Sequence, residues 1–102
     1  MTDVCIEIII TTREFASEIS WSFETFCNST QQYQDNQEYN HTCCFRTNSA
    51  WQYKLKCKDS NGDGWHGAFI TVNDRKYCDQ FSEGHEITAL IEANPSKHWL
   101  FR

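Results

Sequence analysis

The sequence predicts an all-β fold, an antiparallel β-sandwich of jelly-roll type stapled by disulfides. Apolar and polar residues alternate over short stretches, and turn residues recur between them. No segment keeps helical periodicity over the roughly 11 residues that would make a helix convincing. Six cysteines in 102 residues supply the staples. Two packed sheets follow from short strands without helices, with a closed barrel as the next choice.

The elements follow in chain order. "VCIEIIITT" is a nearly continuous apolar run, suited to a central strand covered on both faces. "ISWSFE" alternates Ile19, Trp21 and Phe23 with Ser20, Ser22 and Glu24, which gives a strand with one wet face. "NSTQQYQDNQEYNHT" is polar and lacks apolar alternation, so it reads as a long connection or an exposed edge pair, and as the most mobile region. "WQYKLKC" is the strongest local signal, with Trp51, Tyr53, Leu55 and Cys57 on one face and three polar residues on the other. "AFITV", "KYCDQF", "HEITALIE" and the terminal "HWLFR" complete about seven or eight strands. In "HEITALIE" a helix is the rival, but the branched Ile and Thr side chains favour a pleated surface. Turns are expected at Asn73-Asp74, Ser82-Glu83-Gly84 and Asn94-Pro95-Ser96.

Size and charge narrow the function. Residues 1–102 read as one domain, excised from or acting within a larger secreted protein. A formal charge of -5, with both signs scattered, makes no basic footprint for a nucleic acid. No stretch approaches the roughly 20 apolar residues that span a bilayer, and "MTDVCIEIII" is no signal peptide. Cys5, Cys27, Cys43, Cys44, Cys57 and Cys78 contain no C-x2-C pair, so disulfides fit better than a zinc knuckle. Cys57 with Cys78 is the pairing singled out, and adjacent Cys43 and Cys44 should take different partners, because neighbours on a strand face opposite ways. Sequons at Asn28 and Asn40 are candidate glycosylation sites and agree with a secretory route. The expected location is extracellular, secreted or at the cell surface.

The chemistry concentrates in "KDSNGDGWHGAF". Asp59, Asn61 and Asp63 followed by Gly64 match the opening of a D-x-[DN]-x-[DN]-G calcium loop, where alternate oxygens point at one centre and the glycine permits the turn. Ile70 stands where the bidentate Glu of an EF-hand would be, and strands flank the loop, so this is not an EF-hand. A carboxylate must come from elsewhere, with Glu18, Glu14, Asp74 and Asp79 as candidates. The competing reading is a plain turn, since Asp, Asn and Gly are the commonest turn residues.

The string "DSNGDGWHGAFITV", after a strand ending in Cys57 and with "SEISWSF" upstream, resembles the "DSYGDGWNG" plus E-x-S-W signature of extracellular modules in secreted and surface proteins of microbes, protists and marine invertebrates. The order Thr11-Thr12, then Glu18-Ile19-Ser20-Trp21, then Asp59 to Trp65 carries the resemblance, over about residues 5 to 80. It implies a calcium-bearing β-sandwich acting in binding or adhesion, with Asp59, Asn61 and Asp63 as ligands, and it makes Glu18 the first choice for the remote carboxylate. The chain departs from it in having His66 where such modules often have Asn.

The candidate metal residues are therefore Asp59, Asn61, Asp63, Trp65 and Glu18, with Ca2+ as the ion. Trp65 and His66 are candidate ligand-binding residues if they form an exposed platform, since an ion beside an aromatic ring can hold a sugar. The alternative packs Trp65 under the loop. The four histidines show no metal or catalytic spacing and no nucleophile motif occurs, so the chain reads as non-enzymatic. The expected function is calcium-dependent binding or adhesion, lectin-like in kind, toward a glycan, lipid headgroup or extracellular protein. A purely structural, disulfide-stapled domain is the alternative.

Overall fold

The longer strands arise where side chains of one polarity recur at every second position. A computed structural model describes residues 3 to 47 and 52 to 92. Strand β1 spans Asp3–Thr11, β2 Ile19–Phe23, β3 Cys27–Asn28, β4 Glu38–Arg46, β5 Gln52–Asp59, β6 Phe69–Val72, β7 Arg75–Tyr77 and β8 Glu86–Glu92, and one 3-10 turn, Ala16–Glu18, precedes β2. No α-helix occurs among the described residues. The expected strand "HWLFR", the turn at Asn94-Pro95-Ser96 and the core assignment of Trp51 lie outside them.

The strands form two four-stranded sheets, ordered β4-β1-β6-β7 and β3-β2-β5-β8. Every ladder is antiparallel. In β2, Ile19, Trp21 and Phe23 are buried, and in β5 so are Tyr53, Leu55, Cys57 and Asp59, as strict alternation requires. The inward faces of both sheets meet in one core: Phe45 of β4 lies 5.2 Å from Phe23 and 5.1 Å from Tyr53, edge to face.

Strand β1 is central, as its composition predicts, but it is covered on one face only. Val4, Ile6, Ile8 and Ile10 point inward, Cys5 and Glu7 are exposed and Ile9 is half-buried. A run of isoleucines conceals the alternation that Glu7 and Cys5 keep. The hairpin at Asn73-Asp74 forms as expected: Val72 pairs with Arg75, and both turn residues have positive φ, 52° and 64°, as a two-residue type I′ turn demands. "KYCDQF" is strand only as far as Tyr77, because Cys78 turns to φ 65° and leaves the sheet toward its disulfide partner.

Three disulfides use all six cysteines: Cys5–Cys44, Cys27–Cys43 and Cys57–Cys78. The last is the pair singled out from the sequence, and Cys43 and Cys44 do take different partners. Cys27–Cys43 and Cys57–Cys78 tie one sheet to the other, whereas Cys5–Cys44 joins paired positions of β1 and β4. With closed loops of 39, 16 and 21 residues, the chain-entropy account gives about 3 to 4 kcal/mol for each.

The polar connection between β3 and β4 is anchored at several points, two of them through buried side chains. Thr12, fully buried, donates from Oγ1 to the Gln34 carbonyl at 2.6 Å and accepts from the Gln37 amide at 2.8 Å. Tyr33 is buried and its hydroxyl accepts from Trp21 Nε1 at 2.9 Å. These contacts hold the connection over the end of β1 and the start of β2, next to the turn that carries Glu18.

Candidate metal centre

Alternation in β5 runs one position further than its apolar residues do. Tyr53, Leu55 and Cys57 face the core, and so does Asp59, which is only 2% exposed. Burying a carboxylate is costly unless its oxygens are satisfied. Asp59 Oδ2 accepts from the backbone amides of Asp63 at 2.6 Å and Gly64 at 3.0 Å, which curls the loop around it. Asp59 Oδ1 is buried and has no hydrogen-bond partner.

Glu18 arrives beside it because Ile19 pairs with Asp59 at the start of the β2–β5 ladder, and the Ser60 amide donates to the Glu18 carbonyl at 3.0 Å. Glu18 Oε1 is likewise buried without a partner. Its carboxyl is held above the usual range, first by burial, then by the negative charges of Asp63 and Asp59, and least by a close side-chain contact with Asp59, with His66 pulling the other way. Asp63 lies below the usual range, chiefly because the Asn61 amide hydrogen-bonds to it, with Asp59 and His66 contributing and desolvation opposing. Its two oxygens contact Asn61 Nδ2 at 3.1 Å and His66 Nε2 at 3.3 Å. Donor atoms of Glu18, Asp63 and His66 lie within 4.8 Å of one another.

The far wall is the segment after β7. Trp65 N donates to the Phe81 carbonyl at 2.9 Å and Gly84 N to the Gly62 carbonyl at 3.0 Å. Gly64, at φ 82°, lies so close that a Cβ there would stand 2.6 Å from the Phe81 carbonyl oxygen. Only glycine fits that approach. His85 completes the support, since Asp59 N donates to its carbonyl at 2.8 Å and its Nδ1 lies 3.1 Å from the Asp59 carbonyl.

The structure thus gathers Glu18, Asp59, Asn61 and Asp63, which the sequence singles out. Asn61 serves them indirectly, with its amide directed to Asp63. Of the two readings of Trp65 the packed one holds and the platform does not: its indole is fully buried, donates from Nε1 to the Lys58 carbonyl at 2.8 Å and packs toward Phe81, so it supports the loop from below. The ring exposed at the rim is Phe15, 51% accessible, held at φ 60° with its centroid 4.7 Å from that of His66. Sequence reasoning missed Phe15, for which no periodic signal exists, and did not count His66 as a metal donor, although it follows Asp63 by three residues in a tight loop. Of the other remote carboxylates, Asp74 belongs to the β6–β7 turn, while Asp79 lines an open cleft of about 250 Å³ with Asp63, His66, Gln80 and Ser82. Asn28 on β3 and Asn40 on β4 are both exposed, on strands at the sheet edges.

These residues fit a hard cation. Two buried carboxylate oxygens without partners, Glu18 Oε1 and Asp59 Oδ1, belong to neighbouring carboxylates beside a third at Asp63. An ion with oxygen preference would satisfy both oxygens and cancel the mutual repulsion. Comparison with protein-family models, with curated proteins and with solved structures finds no match to the chain.

Proposed function

We propose that the chain is an extracellular calcium-binding module of jelly-roll type that mediates calcium-dependent binding or adhesion. The observation that carries this reading is the pair of buried carboxylate oxygens, Glu18 Oε1 and Asp59 Oδ1, that no hydrogen bond satisfies. Calcium takes six to eight oxygens at about 2.3 to 2.6 Å. Glu18, Asp59 and Asp63 would supply the side-chain oxygens, with main-chain carbonyls and water for the remainder. The ion would neutralise the cluster and fix the loop against the Phe81–Gly84 segment. Three disulfides and no unpaired cysteine support an oxidising, extracellular setting. The resemblance to the E-x-S-W and GDGW modules points the same way. A ligand for such a module, whether glycan, lipid headgroup or protein, would meet the exposed rim of Phe15 and His66.

Calorimetry with calcium on chelator-treated protein tests the reading. Wild type should release heat and gain thermal stability, and Asp63→Ala should do neither. Absence of both in the wild type would sink it.

The three disulfides favour one other reading, a structural domain of a surface or matrix protein whose loop is a turn. In that case chelator leaves melting unchanged while reductant abolishes folding.

A further inference from the structure

We propose that Glu18, Asp63 and His66 form a site for a nitrogen-seeking divalent transition metal, zinc(II) foremost, sharing two carboxylates with the calcium centre. The inference rests on the reading of this cluster as a cation site and names a second ion for it.

The donor set differs from an all-oxygen one. Calcium is held by oxygen, whereas an imidazole with carboxylates suits zinc. The spacing agrees. His66 Nε2 and Asp63 Oδ1 are 3.3 Å apart, and the edge of a tetrahedron around zinc, with bonds of about 2.0 to 2.1 Å, is about 3.4 Å. All three donors fall within 4.8 Å of one another, so small side-chain shifts bring them onto one ion. The imidazole is also held in place: its ring lies against Phe15 and its backbone is fixed at φ 52°.

A second observation points to a cation. Asp59, 2% exposed, keeps an unpartnered Oδ1 beside Glu18, whose Oε1 is also unpartnered. That buried negative charge attracts a dication whichever first-row metal or alkaline earth provides it. Three protein ligands leave zinc a fourth position, which is the arrangement of an open site. The cleft lined by Asp63, His66, Asp79 and Ser82 gives water, or a donor from a binding partner, access to it. Because Glu18 and Asp63 serve both ions, zinc and calcium exclude each other, and zinc at the outer position displaces calcium.

The test uses the full chain, freed of metal by chelator and titrated separately with zinc chloride and calcium chloride. His66→Asn is the diagnostic variant, since Asn tolerates a left-handed backbone and removes the imidazole. Zinc should bind wild type one to one, shift the ring nitrogens of His66 in NMR spectra, and bind His66→Asn roughly tenfold or more weakly. Calcium affinity should be retained in that variant. Undiminished zinc binding by His66→Asn, or ring shifts confined to His41 or His85, overturns the proposal. Zinc binding without calcium binding defeats the calcium reading alone. Calcium binding without zinc binding defeats this one alone, and binding of neither ion defeats both.

Discussion

Asp59 shows how one residue decides whether the loop is a turn or a site. Its Oδ2 has a structural task, accepting the Asp63 and Gly64 amides, while its Oδ1 has none. The two tasks separate by mutation. Asp59→Asn keeps an oxygen for the amides, so stability in chelator should change by no more than about 1 kcal/mol, while the calcium-dependent shift in melting disappears. Asp59→Ala leaves two amides unpaired and should cost about 2 to 3 kcal/mol even in chelator. Equal behaviour of the two variants in urea unfolding would remove the distinction. Gly64 is constrained differently, by φ 82° and by the Phe81 carbonyl. Gly64→Ala should cost about 2 to 3 kcal/mol with or without calcium, measured by the same unfolding curves. The alternation read from Trp51 to Cys57 extends one step further than its apolar residues, to Asp59, whose carboxylate marked it only as part of the loop. The burial of Trp65 is one of two readings that its aromatic side chain allows, and a loop has no period from which to choose between them.

At the scale of elements, ladders and loops differ in what local pattern can specify. Strands β2, β5 and β8 appear where alternation places them, because a pleated strand has one geometry and half-burial sorts its side chains. In strand β1 the apolar run suggests cover on both faces, but Ile9 is apolar yet faces outward. The polar stretch over residues 28 to 42, without apolar alternation, is a connection only as far as Gln37 and then enters edge strand β4, and the connection's buried anchors are single residues, Tyr33 and the Thr12 hydroxyl, that no periodicity marks. The Tyr33 anchor has a measurable signature. Burial raises its hydroxyl pKa above the ordinary 10.0, against a smaller lowering by the Trp21 hydrogen bond. The unfolded chain therefore releases this proton at lower pH than the folded one. The corresponding stability is fully present below about pH 10 and lost as pH rises through the folded value. Urea midpoints should fall with pH above 10 in wild type and fall less steeply in Tyr33→Phe. Tyr77, also raised chiefly by burial, accounts for part of the slope that remains. Identical slopes in the two proteins would show that Tyr33 does not contribute.

For the molecule as a whole, the disulfides divide the sandwich into parts that reductant should reach in a definite order. Cys27–Cys43 and Cys57–Cys78 cross between the sheets, and three of their four cysteines are buried, with Cys43 and Cys57 fully so. Cys5–Cys44 lies on the outer face of one sheet with both residues exposed. Thiol–disulfide exchange needs a thiolate to approach a sulfur, so access sets the order when chemistry is otherwise alike. Mild reductant followed by alkylation and peptide mass spectrometry should therefore label Cys5 and Cys44 first. The singly reduced protein should remain folded, because β1 and β4 stay joined along nine paired positions from Asp3–Arg46 to Thr11–Glu38. The two inter-sheet bonds should open only with global unfolding, and in one step, since both are closed over the same core. Calcium, if it closes the loop beside Cys57, should slow that second step and leave the first unchanged. Early label at Cys57 or Cys78 while β-sheet circular dichroism persists would contradict this order and indicate that the loop end opens independently of the core.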